Sequence, residues 1–185
     1  PVVVYRDNGG ANAGHTVEFA SGKRISFHQL PSGVFVAGAT IVLGKEMVIH
    51  PGDLLAELVE IQAITDTTDR AEIKLDEMAI LSLDTHRAFE GVLKQWQSGG
   101  KGATGRGISP AYADVLLRHP LRVRDLINFD KVKLTTHYKM YAALIKGLGQ
   151  KLATQAVATL AGPTQAVGSL NEFLARLKTQ AKALT

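Results

Sequence analysis

Residues 9–16 read GGANAGHT and follow directly on the apolar run from Pro1 to Tyr5. No other stretch constrains the fold as much. At Gly9, Gly10 and Gly14 backbone N–H and C=O groups can approach a ligand without a Cβ in the way. Asn12 adds an amide that both donates and accepts. His15 can donate a proton or a charged hydrogen bond near neutral pH, and Thr16 adds a hydroxyl. These residues suit a phosphate or a polar ring. They suit equally a structural glycine turn with a satisfied histidine, because single glycine motifs are common without a ligand.

The rest of the pattern reads as strands first, then strands mixed with helices, then helices. Residues 2–5 predict a buried strand. Val17, Phe19, Ile25 and Phe27 alternate around Ser21-Gly22, a hairpin signal. Phe35-Val36 and Thr40–Leu43 predict short strands between turn residues. Pro51 opens a helix with Leu54, Leu55, Leu58, Ile61 and Ile64 at helical spacing and Asp53 in its first turn. Met78–Leu83 predicts a buried strand, and residues 86–97 a helix with Phe89, Val92, Leu93 and Trp96 on one face. A short helix runs from Pro110 to about Arg118, and further helices are predicted over 135–148 and 150–160. Gly162-Pro163 breaks the pattern. Ser169 and Glu172 form a capping box for a last helix carrying Phe173, Leu174, Leu177 and Leu184. The class is α/β. With 185 residues, 45% of them hydrophobic, the chain suffices for one domain with a core.

Several chemistries find no support. There is no cysteine, hence no disulfide frame and no thiolate. No apolar run approaches the ~18 residues of a membrane span, and no leader pattern opens the chain. The net charge of +4 suits an anionic small molecule, a nucleic acid or an ordinary surface alike. The 6% aromatic content shows no interleaving with basic residues of the kind that binds single strands. The six histidines, at 15, 28, 50, 86, 119 and 137, lie in no zinc-ligand spacing. The second glycine-rich stretch, SGGKGATGRGISP at 98–110, lacks the Lys-Ser/Thr of a Walker A loop. It can still cradle a phosphate through backbone amides, with Lys101, Thr104 and Arg106 as donors, or serve as a surface loop. Arg118, Arg122 and Arg124 form either an anion-reading cluster or a solvated basic edge.

The ordered combination is more specific than its parts. GGANAGHTVEFASGKRISFHQLPSGVF at 9–35, GATGRGISPAYAD at 102–114 and LRVRDL at 121–126 closely resemble the adenylosuccinate synthetase family, over roughly residues 2–130. The resemblance implies part of a P-loop-NTPase-like mixed sheet with surrounding helices. It implies a ligase that joins L-aspartate to inosine monophosphate (IMP), driven by GTP and Mg2+ through a 6-phosphoryl intermediate. By position, Asn12, Ala13, Gly14 and His15 would line the IMP site, with His15 the catalytic acid. The Gly14 carbonyl matches a magnesium ligand, and Gly14, His15 and Thr16 border the GTP phosphates. Thr104 matches the threonine on the nucleotide phosphate. Arg118 matches an arginine that reaches the neighbouring subunit's nucleotide, implying a homodimer. The expected compartment is the cytoplasm, with no nucleic acid or membrane as partner.

The departures carry their own expectation. The family's first strand and its Gly-Asp-Glu-Gly-Lys-Gly-type loop have no counterpart here, and neither does its C-terminal part. Ala103 replaces a usual threonine, and Lys45-Glu46 a usual Asn-Gly. The sequence therefore reads as an internal segment, 1–185, of a larger α/β domain, incomplete at both ends. Two other readings stand beside the first. One is a relative that makes 2-aminoadenylosuccinate from a guanine nucleotide; the other is a non-catalytic piece that keeps the fold.

Overall fold

The computed structural model describes residues 2–64, 70–96, 103–160 and 162–185. Its centre is a parallel sheet of β1 (Val3–Arg6), β4 (Thr40–Leu43) and β6 (Glu72–Leu75) in the order β1-β4-β6, with Val4 beside Ile41 and Ile41 beside Ile73. Parallel neighbours need crossovers. The first crossover carries the antiparallel hairpin of β2 (His15–Glu18) and β3 (Arg24–Phe27). The second carries α1 (Pro51–Gln62). Two short strands, β5 (Val48–Ile49) and β7 (Ile80–Leu81), pair in parallel beyond the main sheet. Then come α2 (Asp84–Leu93), α3 (Ile108–Leu116), α4 (Val123–Ile127) and α5 (Lys131–Gly147). A small antiparallel pair, β8 (Ala156–Val157) with β9 (Gln165–Ala166), leads to α6 (Leu170–Leu184).

Local signals explain the elements that were legible. In the hairpin, Val17 lies opposite Ile25 and His15 opposite Phe27, with Gly22 at φ +82° in the turn. Ser169 Oγ accepts the Glu172 N–H at 3.4 Å and Glu172 Oε2 accepts the Ser169 N–H at 2.7 Å, the reciprocal box that starts α6. One main core unites the halves: Phe27, Ile41, Leu43, Ile49 and Leu54 pack with Leu81, Tyr141, Ile145 and Phe173. Burying each such side chain contributes about 1.5–3 kcal/mol.

Five local expectations are corrected. Residues 2–5 do not form a buried strand: Val3 and Tyr5 are exposed and only Val4 and Arg6 are half-buried, because β1 is an edge strand covered on one face. Phe35-Val36 is not a strand. Ser32–Phe35 is a 3-10 turn that folds Phe35 edge-on against Phe19, ring centroids 4.9 Å apart. Residues 150–160 are not a helix: after a 3-10 turn at Leu152–Thr154 the chain pairs as β8, with Thr159 Oγ1 donating to the Gly162 carbonyl across the turn at 3.0 Å. Tertiary pairing overrides helix propensity there. The helix expected from Pro110 to Arg118 runs from Ile108 to Leu116, and Arg118 lies beyond it. Trp96 leaves the face predicted for it and is exposed, after a 3-10 turn at Lys94–Trp96. Residues 97–102, including Lys101, lie outside the described residues. Among the described residues, no helix is long and apolar enough to cross a membrane.

Candidate functional site

Gly10 explains why the first box must be glycine-rich. It bridges Val48 of β5, and a Cβ on it would lie 2.5 Å from the Val48 carbonyl oxygen and 2.9 Å from Ile108 Cδ1 at the start of α3. The box is thus clamped between sheet and helix. From there Asn12, Ala13 and Gly14 project as exposed residues, Thr16 is exposed, and His15 enters β2 half-buried. The His15 ring stands 6.0 Å from Phe27, and its buried Nε2 has no hydrogen-bond partner.

The turn after β3 comes up against the box. His28 lies beside Gly14, where an added Cβ would stand 3.3 Å from His28 Nε2. The turn is held from below by Glu57 of α1, whose wholly buried carboxylate accepts N–H bonds from His28 (2.7 Å), Gln29 (3.1 Å) and Leu30 (2.9 Å). From β1, Arg6 donates to the His28 and Gln29 carbonyls at 2.7 and 3.0 Å. Burial raises the Glu57 pKa against those amide bonds. Burial, then Arg106, lowers that of His28, so its ring is neutral.

The second glycine stretch closes the site. Gly107 takes φ +72° ahead of α3, and a Cβ on it would sit 2.7 Å from Ser82 Oγ. Ser82 Oγ donates to the Arg106 carbonyl at 3.0 Å, and Glu90 accepts the Gly107 N–H at 2.9 Å. These bonds fix Arg106, whose guanidinium reaches to 3.6 Å from Asp53 Oδ2 yet has a buried NH1 without a hydrogen bond. Asp53 also receives both terminal nitrogens of Arg87 and the Leu160 N–H. Burial opposes its ionisation, but His50 and Arg87 outweigh that and hold the carboxyl far below the usual carboxylate range. Thr104 is exposed on the same loop.

Arg118 is not brought to this site. α3 has 9 residues and so spans about 13 Å; the box touches its first residue, while Arg118 follows its last. Arg118 has φ +66°, and the motif is a Schellman cap: His119 N–H donates to the Asp114 carbonyl at 2.9 Å and Arg118 N–H to Val115 at 3.1 Å. The side chain is exposed beside a cleft of about 440 Å3 lined by His119, Lys133 and Met140. Of its two basic neighbours, Arg122 donates to the Met78 carbonyl at 2.8 Å and so belongs to the scaffold.

Spacing in sequence gave no sign of a second polar cluster, buried between helices. Asp114 accepts from Tyr141 Oη at 2.9 Å and from His86 Nε2 at 3.0 Å, and His137 Nδ1 lies 3.7 Å from it. These three residues have the proximity of a metal site. The hydrogen bonding assigns them otherwise. His86 Nδ1 accepts the Leu83 N–H at 2.8 Å, so its proton is on Nε2 and points at Asp114. Binding a cation through Nε2 would require the proton on Nδ1 and break the main-chain bond.

The carbonyl that the resemblance matches to a magnesium ligand belongs to Gly14, an exposed residue of the box. A carbonyl fits a cation that keeps waters and ligand phosphates around it. The carboxylates behind it, Asp53 and Glu57, are taken up by protein donors.

The sequence reading missed His28, Glu57 and Asp53 as site residues. A signal was present: Asp53 and Glu57 stand at i and i+4 on the face of α1 that also carries Leu54 and Ile61, where a carboxylate needs buried partners.

A parallel sheet with a helical crossover, and the glycine-rich loops gathered beside it, define a P-loop-like α/β protein. Residues 2–183 match the family model for adenylosuccinate synthetase, extending the resemblance past residue 130. The chain belongs to the adenylosuccinate synthetase family. It is 40% identical over 126 residues to the adenylosuccinate synthetase of Mycolicibacterium vanbaalenii, covering 68% of this chain and 29% of that protein. It is 34% identical over 143 residues to that of Myxococcus xanthus, covering 77% and 33%. The fully ligated adenylosuccinate synthetase from Plasmodium falciparum superposes with a TM-score of 0.70 at 26% identity, over 99% of this chain and 39% of that one. The chain therefore spans about a third of the length of the curated relatives it matches.

Proposed function

We propose that this chain carries the IMP-binding and phosphoryl-stabilising portion of a ligase that joins L-aspartate to IMP with GTP hydrolysis, through a 6-phosphoryl intermediate. One observation carries the reading: His15 Nε2 and Arg106 NH1 are buried nitrogens without hydrogen-bond partners, on loops that meet around one box, where His28 Nε2 stands beside Gly14. Buried donors left unpaired cost about 1–3 kcal/mol each. An anionic ligand supplies the acceptors they lack.

In this reading Asn12, Ala13 and Gly14 hold the purine nucleotide with His15, and Thr104 binds its monophosphate. Thr16 with Gly14 and His15 borders the GTP phosphates. His15 donates to the oxygen on which charge develops as the phosphoryl group moves, since phosphoryl transfer is helped mainly by position and charge. Mg2+, when bound at Gly14, neutralises phosphate charge. Arg118, turned away from its own box, serves the nucleotide of a second subunit in a homodimer. The implied compartment is the cytoplasm.

The test uses full-length polypeptides. His15→Ala and Arg118→Leu should each be inactive alone, with kcat lowered about two to four decades for His15→Ala. Mixed, they should recover up to about a quarter of wild-type activity, because one site of each mixed dimer has both residues. Full activity of His15→Ala would end the reading. No recovery, with subunit exchange verified, would mean that Arg118 serves its own site or none.

A further inference from the structure

We propose that Glu90 is a positioning residue for the second glycine loop: from α2 its buried carboxylate holds the Gly107 amide and, with Ser82, sets the peptide from which Thr104 and Arg106 face the anionic groups of the nucleotide. The inference rests on the function proposed above and assigns two residues to which that reading gives no part.

The start of α3 cannot cap itself. Its N-cap is Gly107, which has no side chain, and its third residue is Pro110, where a capping box carries Glu or Gln. Glu90 supplies the missing acceptor from another helix, its Oε2 taking the Gly107 N–H at 2.9 Å. It stands one turn beyond His86, which bonds Asp114 of α3 from the same face of α2, and it is 3% exposed. Ser82, just after β7, shares its hydroxyl proton between the Arg106 and Gly107 carbonyls at 3.0 and 3.2 Å.

A cap serving α3 alone would need none of this, since Asn or Ser at 107 would start the helix from its own side chain. The packing forbids one. A Cβ at 107 would stand 2.7 Å from Ser82 Oγ, 2.9 Å from His86 Cβ and 3.0 Å from the Arg87 nitrogen. The 106–107 peptide is therefore pressed onto the first turn of α2 and bonded there at both its carbonyl and its N–H. Gly105 and Gly107 take φ of +74° and +72°, so the backbone turns on either side of Arg106. This is the geometry that leaves Arg106 NH1 buried without a partner and Thr104 exposed two residues earlier. Groups that bind a ligand must be held before it arrives, and here the holding bonds come from α2 and the end of β7.

The experiment uses the full-length polypeptide and titration calorimetry with two probes, IMP and inosine. Glu90→Ala should weaken IMP about tenfold and inosine less than about twofold. Glu90→Gln, which keeps an acceptor oxygen for the amide, should stay within about threefold of wild type. On a background of Thr104→Ala with Arg106→Ala, Glu90→Ala should add less than about twofold, because the side chains it positions are gone. Equal losses for IMP and inosine, or an undiminished loss on that background, make Glu90 scaffold and overturn the proposal. Where Glu90→Ala does not fold, Ser82→Ala decides: it should show the same IMP-selective loss, about threefold or more, and wild-type affinity overturns the proposal. Thr104→Ala separates the two readings. Loss of IMP affinity there with wild-type affinity for Glu90→Ala refutes the positioning and leaves the proposed function standing; no loss at Thr104 or Arg106 removes the proposed function as well.

Discussion

Two groups of histidines in this chain differ in how many hydrogen bonds their rings make. Between α2, α3 and α5, His86 and Tyr141 both donate to Asp114, Thr85 Oγ1 meets His137 Nε2 at 2.7 Å, and the rings of His86 and His137 stand 4.7 Å apart. At the glycine box, His28 Nδ1 stands 3.7 Å from Glu57 Oε1 and the His15 ring 6.0 Å from that of Phe27, and neither His28 Nδ1 nor His15 Nε2 makes a hydrogen bond. The first group spends most of its hydrogen bonds on holding helices together and leaves only His137 Nδ1 over, whereas at the glycine box neither His15 Nε2 nor His28 Nδ1 finds a partner. Residue type does not separate the two; the number of hydrogen bonds that each group of rings makes does.

The sharpest way to break this contrast is to remove Asp114. Asp114→Ala leaves the His86 N–H and the Tyr141 O–H buried without acceptors, and should cost about 2–5 kcal/mol of stability in urea unfolding followed by circular dichroism. His15→Ala should shift the same curve by less than about 1 kcal/mol. Equal losses would mean that both groups are scaffold.

A pH series sharpens it next. Burial lowers the pKa of His86 and holds that of His137 well below the usual value. As pH falls through about 6.5, the unfolded chain gains protons at both rings while the folded chain does not, so stability is lost on the acid side. The slope approaches about 1.4 kcal/mol per pH unit for each ring. Unfolding midpoints between pH 7.5 and 5 should show this, and His137→Gln should flatten the slope. A flat wild-type profile would remove the helical cluster from the comparison.

Ligand affinity probes the other side. Thr104→Ala should weaken binding of IMP by about 1–2 kcal/mol, the range for a hydrogen bond to a charged group, and leave the unphosphorylated nucleoside almost unaffected. Titration calorimetry with both ligands checks it, and equal losses would indicate a disordered loop. The smallest effect concerns Arg118, an arginine in the left-handed conformation where glycine is favoured. Arg118→Gly should stabilise the fold by about 0.5–1 kcal/mol while abolishing activity. A loss of stability would mean that its side chain packs, contrary to its exposure.

Much of this molecule was open to reading along the chain. The GGANAGHT and ATGRGISP stretches, the hairpin around Ser21-Gly22, the start of α1 at Pro51 and the capping box of α6 rest on neighbours in sequence. Backbone freedom, alternation and caps act over a few residues, so the chain states them locally. Those features determined the α/β class and the family. Other features arise only when distant segments meet. Residues 150–160 have helical composition, yet Ala156-Val157 became a strand because Gln165-Ala166 lies alongside. Val3 and Tyr5 look like core and face outward because β1 is at an edge. Glu57 reads as an interruption in an apolar helix face until the amides of 28, 29 and 30 close on its carboxylate. His86, Asp114 and His137 have no common spacing and meet only because three helices pack together. A hydrogen bond or a buried charge is set by which groups exclude water from each other, and tertiary packing alone decides that.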